Sequence, residues 1–365
     1  MKAAIFSRVP YLGPAPEGVW PVPAASYATE VAQASMDDAL DQFQLADELG
    51  FDWVTVAEHH YAPFSLTPNP MVLAGALTER VKRAKIALLG ANIPILNPVR
   101  VAEELAMLDL MTGGRVVAGM LRGTPNEYIT YATNPAESRE RFEEALRLIV
   151  RAWTEPQPFG WQGRYFEYRS IAIWPRPVQQ PHPPIYMSGS SPESGEWAAR
   201  NRISLGFAVT NVPLAARAAA HYREPAALAG WEPTPDDILY RLGVHVAETD
   251  EQAIADLEVP VKMITRLSRL IDPAVMGAIA RAGYLGRDAA NQSGRVMQQR
   301  TLKERIELGE LVAGSPETVV KQIRAIKDEL GAGILDLSFH PAGREKTLRA
   351  IELFGTRVLP RMHEL

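Results

Sequence analysis

Glu58, His59 and His60 directly follow a short apolar run, residues 53–57. Such a run is typical of a buried parallel strand, and in α/β barrels the reacting groups lie at the carboxyl ends of the strands. An imidazole, with a usual pKa of about 6.5, can accept or donate a proton near pH 7. Adjacent strand residues point to opposite faces, which argues against one metal ion held by both histidines. The pattern predicts that one imidazole transfers protons and the other points away; a structural histidine at a barrel rim is the alternative.

Two other segments have residue types that suit an anion. Arg122 lies just beyond a predicted strand, between Gly119 and Gly123. A guanidinium fork suits phosphate and glycines let the backbone come close, although a surface salt bridge would show the same pattern. A second segment follows another predicted strand and precedes a helix, so it can bind an anion or simply cap that helix. It consists of Ser188, Gly189, Ser190 and Ser191.

Composition excludes several classes of protein. The chain has 365 residues, a net charge of -5 and no long basic run, so nucleic acid is not an expected partner. The absence of cysteine excludes disulfides, iron–sulfur clusters and thiol nucleophiles. No apolar stretch is long enough to span a bilayer, and the apolar start is too short for a signal peptide. We therefore expect a cytoplasmic protein without membrane contact.

Strand-like runs alternate with helix-like periods, which predicts an α/β fold, a (β/α)₈ TIM barrel. An open doubly wound sheet is the alternative, but its glycine-rich fingerprint is missing after the first strand. The barrel forms a single domain, residues 1–365, with insertions at about 155–183, after strand 4, and about 260–310, after strand 7. The predicted strands are residues 3–6, 53–57, 84–93, 115–118, 185–188, 203–208, 240–246 and 334–339.

Helix boundaries follow from capping residues. Ser35, Asn69 and Ser315 can each accept a hydrogen bond from the first turn of a helix, and Gly331 can end one. Residues 8–34, rich in proline and glycine, form a loop whose length suggests a function.

Several motifs resemble those of the bacterial luciferase-like flavin-dependent monooxygenases. They are A-E-H-H-Y (57–61), P-N-P-M-V (68–72), N-P-V-R-V-A-E-E-L-A-M-L-D-L-M-T-G-G-R (97–115), G-M-L-R-G (119–123) and I-Y-M-S-G-S-S-P-E-S-G-E-W-A-A (185–199). The resemblance implies a TIM barrel that uses reduced FMN and O₂ to oxygenate a small organic substrate through a flavin C4a-peroxide. It also implies that a separate reductase supplies the reduced FMN, and that the protein is a homodimer.

The resemblance also assigns roles to residues. His59 matches the histidine that lies beside the flavin and transfers a proton, so His60 is expected to point away. Arg122 and the backbone of Ser190 and Ser191 match the FMN phosphate site. The segment Gly90, Ala91 and Asn92, at the end of the third strand, matches the position of a non-prolyl cis peptide under the flavin ring. Asn92 could donate to a flavin carbonyl; small residues for barrel packing are the alternative reading.

Aromatic residues in loops after strands and in the first insertion predict an apolar pocket for an organic substrate. A small satellite core is the alternative for any single one of them. Phe6, Tyr61, Phe64, Tyr128 and Trp174 are the candidates for the pocket, together with Trp20, Trp161 and Tyr165. His340, after the eighth strand, borders the pocket or lies at the rim.

Two other functions compete with the monooxygenase. An F420-dependent dehydrogenase of the same barrel type needs basic residues for the acidic tail of its cofactor, but residues 192–196 are acidic. A flavin-binding protein without turnover is disfavoured by the presence of His59 and Arg122. For the homodimer, the apolar residues of the helix at 69–80 are the candidate surface: Met71, Val72, Leu73 and Leu77.

Overall fold

The protein folds into a closed barrel of eight parallel strands surrounded by helices, as predicted. The structure is a computed structural model, and it describes residues 1–16, 20–189, 191–257 and 300–365. The first strand pairs with the second (Ala4 opposite Trp53) and with the last (Lys2 opposite Ile334). A pairing of Leu205 with Ile238 completes the ring. The carboxyl ends of all these strands therefore meet at one mouth.

The barrel strands are β1 (Lys2–Ser7), β2 (Trp53–Val56), β3 (Lys85–Asn92), β4 (Val116–Leu121), β7 (Ile185–Ser188), β8 (Ser204–Phe207), β9 (Ile238–Val246) and β11 (Ile334–Phe339). A ninth parallel strand, β10 (Leu311–Gly314), pairs with the carboxyl-terminal half of β9. A separate antiparallel hairpin consists of β5 (Phe159–Gln162) and β6 (Glu167–Ile171).

The α-helices that lie wholly within the described residues are α1 (Thr29–Leu49), α2 (Pro70–Arg80), α3 (Pro98–Thr112), α4 (Pro125–Thr130), α5 (Ser138–Thr154), α6 (Pro192–Arg200), α7 (Val212–Leu228), α8 (Leu302–Glu307), α9 (Pro316–Leu330), α10 (Arg344–Leu353) and α11 (Leu359–His363); residues 250–257 are also helical. Among them, none is both long enough and apolar enough to cross a lipid bilayer. Asn69 and Ser315 cap α2 and α9 as predicted, and Gly331 ends α9 with a positive φ of 68°.

The barrel interior is filled in layers. Its lower layer is apolar and centres on an edge-to-face contact between Trp53 and Tyr186, with ring centroids 5.4 Å apart. Above it lies a charged layer in which the fully buried Asp336 accepts hydrogen bonds from Thr55 Oγ1 and Arg241 Nε, both at 2.6 Å. The Arg241 guanidinium lies 3.5 Å from the centre of the Phe6 ring. These residues form the floor beneath the barrel mouth.

The first insertion is attached to the outside of the barrel. Glu144, buried on α5, accepts hydrogen bonds from Trp161 Nε1 at 3.2 Å and from the backbone amides of residues 164–166 at 3.0–3.1 Å. The insertion follows α5, which returns the chain to the amino ends of the strands. The insertion aromatics Trp161 and Tyr165 therefore pack on α5, outside the barrel, and do not cover its mouth.

Several elements differ from the sequence-based expectation. α1 begins at Thr29, not after Ser35; the Ser35 hydroxyl instead accepts from the backbone N–H of Leu12 at 3.2 Å. The short α4 and the strand β10 were not predicted. Most of the predicted second insertion (about 260–310), namely residues 260–299, lies outside the described residues.

The outer faces of α2 and α3 carry exposed apolar side chains. On α2, Met71, Leu73 and Leu77 are buried against the barrel, whereas Val72 is 72% exposed. α3, which packs beside α2, exposes Met107, Leu110 and Met111. Such a patch suits an interface between copies of this chain, and the homodimer stays a prediction.

Replacing Glu144 with alanine should destabilise the fold. Three backbone amides and the Trp161 indole would lose their acceptor, so we expect the free energy of unfolding to fall by about 1–3 kcal/mol in chemical denaturation. Glu140→Ala is the matched control. Glu140 lies one turn earlier on α5 and binds the exposed Arg164 and Tyr165, so its loss should cost less than about 1 kcal/mol. Equal losses for the two variants would contradict this account of the hairpin.

Candidate active site

His59 and Glu127 form a hydrogen-bonded pair at the barrel mouth. His59 follows β2, and its backbone N–H donates to the Thr67 carbonyl at 3.2 Å. Its Nδ1 lies 3.0 Å from Oε1 of Glu127, which is almost completely buried on α4. An ionised carboxylate only accepts hydrogen bonds, so Nδ1 carries the proton and Nε2 is the acceptor of the neutral ring.

Glu127 remains ionised although it is buried. Burial by itself would raise the pKa of this carboxyl group, but the hydrogen bond and charge of His59 and the hydroxyl of Thr124 lower it, and the pKa lies below its usual value. The backbone N–H of Thr124 also donates to Glu127 at 2.7 Å. Glu127 thus caps its own helix and fixes the His59 ring at the same time.

His60 is turned away from His59. Its Nε2 lies 3.1 Å from Oε1 of the buried Glu58, and its ring packs edge-to-face on Tyr131 with centroids 5.0 Å apart. The other carboxylate oxygen of Glu58 accepts from the backbone N–H of Asn92 at 3.1 Å. Glu58 therefore positions His60 and the end of β3, not His59. No group of three metal-binding side chains occurs among the described residues.

The end of β3 has features that fit a flat ring bearing carbonyl groups. The Leu89–Gly90 peptide bond is cis, in the segment where the resemblance implies such a bond. Asn92 is buried, and its Nδ2 has no hydrogen-bond partner within the described part of the chain. A buried amide without an acceptor is costly, so this donor suits a ligand carbonyl. The small residues also serve packing, because a Cβ at Gly90 would lie 2.5 Å from Leu121 Cγ.

The predicted phosphate residues follow neighbouring strands. β4 and β7 pair in register, Met120 opposite Met187, so Arg122 and the segment that begins at Ser188 leave the barrel side by side. The Arg122 carbonyl accepts from the Tyr128 hydroxyl. Ser191 caps α6, its Oγ accepting from the backbone N–H of Ser194 at 3.3 Å.

Gly189 and Ser190 are the other two residues of this segment. Gly189 is buried, and a Cβ there would lie 2.8 Å from the Leu205 side chain. Ser190 lies outside the described residues.

A cavity of about 300 Å³ opens beside His59. Phe6 and Phe64 line it, and the Phe64 ring lies 5.0 Å from the His59 ring; that this cavity binds the substrate stays a prediction. The cavity extends between the loop after β1 and the side of α1, where Ala39 and Gln42 contribute to its wall.

Several predicted pocket residues do not line this cavity. Trp174 is 87% exposed and lies in the first insertion, before β7, which places it on the amino side of the strands. Tyr128 is fully buried beneath Arg122. Tyr61 is 55% exposed and packs against Trp20, away from the cavity wall. Of these three aromatic residues, only Tyr128 is buried and serves packing.

His340 is also not at the pocket. It is buried against β9, where a Cβ at Gly243 would lie 2.5 Å from its ring. Burial and the positive charge of Arg305 lower the pKa of His340 to about 3, so this imidazole is neutral.

Sequence reasoning missed Glu127, Arg8 and the pair formed by Arg241 and Asp336. Asp336 had a visible signal, because it is the single charge in the apolar strand I-L-D-L-S-F. Glu127 had none, since 68 residues separate it from His59. Arg8 lines the cavity directly after β1.

Comparison with known proteins gives a consistent result. The family model described as luciferase-like monooxygenase matches residues 18–333. The 4-hydroxyprotoasukamycin monooxygenase of Streptomyces nodosus subsp. asukaensis is 26% identical over 339 residues, 89% of this chain and 86% of that protein. The oxygenase component of the flavin-dependent trigonelline monooxygenase of Acinetobacter baylyi is 27% identical over 168 residues, 45% of this chain and 46% of that protein. The chain spans about half the length of several curated relatives that it matches.

Solved structures share the barrel. Monooxygenase RslO1 from Streptomyces bottropensis superimposes with a TM-score of 0.79 at 26% identity, over 100% of both chains. An F420-dependent secondary alcohol dehydrogenase superimposes with a TM-score of 0.69 at 18% identity, over 99% of this chain and 98% of that one. The second likeness shows the fold alone.

The stability contribution of Glu127 should depend on pH. Because its pKa is lowered in the folded protein, its stabilisation is present above the ordinary carboxyl pKa of about 4.3 and is lost as pH falls through the folded value. We expect Glu127→Gln to lower the free energy of unfolding by about 1.5–3 kcal/mol at pH 7. The difference from the unmodified protein should shrink below about pH 4. A difference in urea denaturation that does not change with pH would contradict the assignment.

Proposed function

This chain belongs to the luciferase-like monooxygenase family, and we propose that it is the FMN-dependent oxygenase of a two-component system acting on a small organic substrate. The observation that carries the proposal is the His59–Glu127 pair, which lies on a cavity at the carboxyl end of β2. The trigonelline monooxygenase relative is a flavin-dependent oxygenase component, which supports both the flavin and a separate reductase.

The residues at the barrel mouth suit reduced FMN. Arg122, together with Ser190 and Ser191 at the start of α6, would hold the phosphate, because a guanidinium and a helix N-terminus both favour an anion. Nδ2 of Asn92, which has no partner among the residues that the structure describes, would donate to a carbonyl of the ring. When bound, reduced FMN supplies the electrons that activate O₂, so that one oxygen atom enters the substrate and the other leaves as water.

His59 would move the proton in this reaction. Glu127 holds Nδ1–H, which leaves Nε2 as the atom that accepts a proton from a ligand in the cavity or returns one. The ionised Glu127 also stabilises the imidazolium that forms when Nε2 is protonated. Phe6 and Phe64 on the cavity wall exclude water from this exchange.

Reduced flavin would come from a second protein. The turn after β1 lacks the glycine-rich fingerprint of a dinucleotide site, so we assign NAD(P)H oxidation to a transient flavin reductase partner.

Two alternatives are distinguishable by binding. F420 carries a longer acidic tail than FMN, and the first turn of α6 presents Glu193, which disfavours such a tail. Preference for F420 over FMN in parallel titrations would replace the monooxygenase with a dehydrogenase. FMN binding without turnover on any substrate would favour a non-catalytic flavin-binding protein.

Replacing Arg122 with methionine should weaken FMN binding selectively. If the guanidinium binds the phosphate, the Kd for FMN should rise about 10–100-fold, while the Kd for riboflavin, which has no phosphate, should not change. Quenching of flavin fluorescence measures both. Arg169→Met, at an exposed position of β6, is the control and should change neither. Equal weakening of FMN and riboflavin would refute the phosphate contact.

Replacing His59 with alanine should slow turnover without loss of flavin. Removal of an acid–base group lowers kcat by about 10²–10⁴, whereas FMN affinity should stay the same. Product formation with reductase-supplied FMN and flavin titration measure the two effects. His221→Ala, at an exposed position of α7, is the control. Turnover that survives in His59→Ala would remove the proton-transfer role.

A further inference from the structure

Arg8 is a cation at the cavity that has no acidic partner among the described residues. It follows β1, and its backbone is fixed because its carbonyl accepts from Thr67 Oγ1 at 3.4 Å and the next carbonyl, of Val9, accepts from Leu66 N–H at 2.9 Å. Its guanidinium lies over the Phe64 ring, 5.6 Å from the centroid. Within the described part of the chain, no carboxylate lies within salt-bridge distance of Arg8, and its side chain donates no hydrogen bond.

The surrounding charges are already paired with one another. Arg241 is neutralised by Asp336, which also accepts from Thr55. The carboxylate of Asp38 lines the cavity, but it accepts from Arg344 at 2.7 Å and from Gln42 at 2.9 Å.

The positive charge of Arg8 is therefore not neutralised by any described residue. Burial, followed by the positive charge of Arg241, lowers the pKa of Arg8 to about 10, which leaves it protonated at neutral pH. A desolvated cation without an anion is unfavourable, so this end of the cavity is short of one negative charge.

We propose that Arg8 binds a carboxylate of the organic substrate, so that the enzyme acts on a small organic acid whose apolar body occupies the cavity beside His59. The inference rests on the proposed function and adds the substrate class to it. Phe64 and His59 adjoin in this wall, with ring centroids 5.0 Å apart. An acid held by the guanidinium above Phe64 therefore has its neighbouring carbons close to the imidazole.

The size and lining of the cavity agree with this class. A volume of about 300 Å³ is at the small end for ligand pockets. Phe6, Leu12, Ala39 and Phe339 supply apolar wall around the body of the ligand. A guanidinium presents a planar pair of N–H donors that matches a carboxylate, and stacking on an aromatic ring fixes its orientation. Arg8 would thus decide which substrates bind, and His59 would serve the reaction.

The test compares acids with their neutral amides. Phenylacetate and phenylacetamide, and octanoate and octanamide, are titrated calorimetrically into the protein with and without FMN. We expect the unmodified protein to bind each acid at least about tenfold more tightly than its amide, the lower limit for a hydrogen bond to a charged group. Arg8→Met should abolish this preference and leave amide binding unchanged, whereas Arg8→Lys should keep part of it. Arg100→Met, an exposed arginine of α3, is the control and should keep all of it.

Several outcomes would overturn the proposal. One is an unmodified protein that binds the acids no better than the amides, or binds neither. Another is an acid preference that survives in Arg8→Met. A third is a loss of reduced FMN affinity in Arg8→Met with the acid preference intact, which would make the flavin the recognised anion. If the protein takes up no FMN but still prefers acids, the monooxygenase assignment fails while the carboxylate site stands.

Discussion

A closed parallel barrel keeps its interior away from water, so any charge placed there needs a partner inside the protein. Asp336 meets this requirement in the middle of β11: it is completely buried and lies between the Thr55 hydroxyl and the Arg241 guanidinium. The two strands that hold Arg241 and Asp336 are neighbours in the ring, and β2 brings Thr55 from the other side of β1. This contact ties three strands together and forms a polar floor, on which Phe6 rests. The carboxyl ends of the strands, with His59 and the cavity, lie directly above this floor.

The rim above the floor is organised by two carboxylate–imidazole pairs that point in opposite directions. Glu127 holds His59 at the cavity, and Glu58 holds His60 away from it while also fixing the backbone of Asn92. The chain thus places one imidazole at the cavity and uses the other for support. The same carboxylate that supports His60 also positions the end of β3, so the segment that carries His59 and the proposed flavin site are linked through Glu58.

Much of this architecture could be predicted from the sequence, because its signals are local. The barrel follows from apolar runs alternating with capped helices, and Asn69 and Ser315 mark their helices correctly. Strand alternation led to the expectation that His59 and His60 point in opposite directions, and they do so although both lie beyond the end of β2. The failures share a cause, which is that they depend on contacts between distant segments. Trp174 looks like a pocket residue until the insertion is seen docked on α5, and Ser35 looks like a cap until Leu12 is seen to use its hydroxyl. Glu127 and Arg8 acquire their meaning only from neighbours that the fold brings to them.

One wall of the cavity beside His59 comes from a helix and not from the barrel strands or the loops that follow them. Ser35, Ala39 and Gln42 lie on one face of α1 and line the cavity, while the opposite wall comes from loops after strands. Positions one turn apart on a helix lie about 5–6 Å apart along its axis, so the side chains of α1 line the cavity at regular intervals. A bulkier side chain at position 39 would make the cavity smaller, and a smaller one at position 42 would make it larger. Neither substitution would change a residue of a strand. Substitutions on α1 can therefore change the size of ligand that the cavity accepts, while the residues around His59 stay the same.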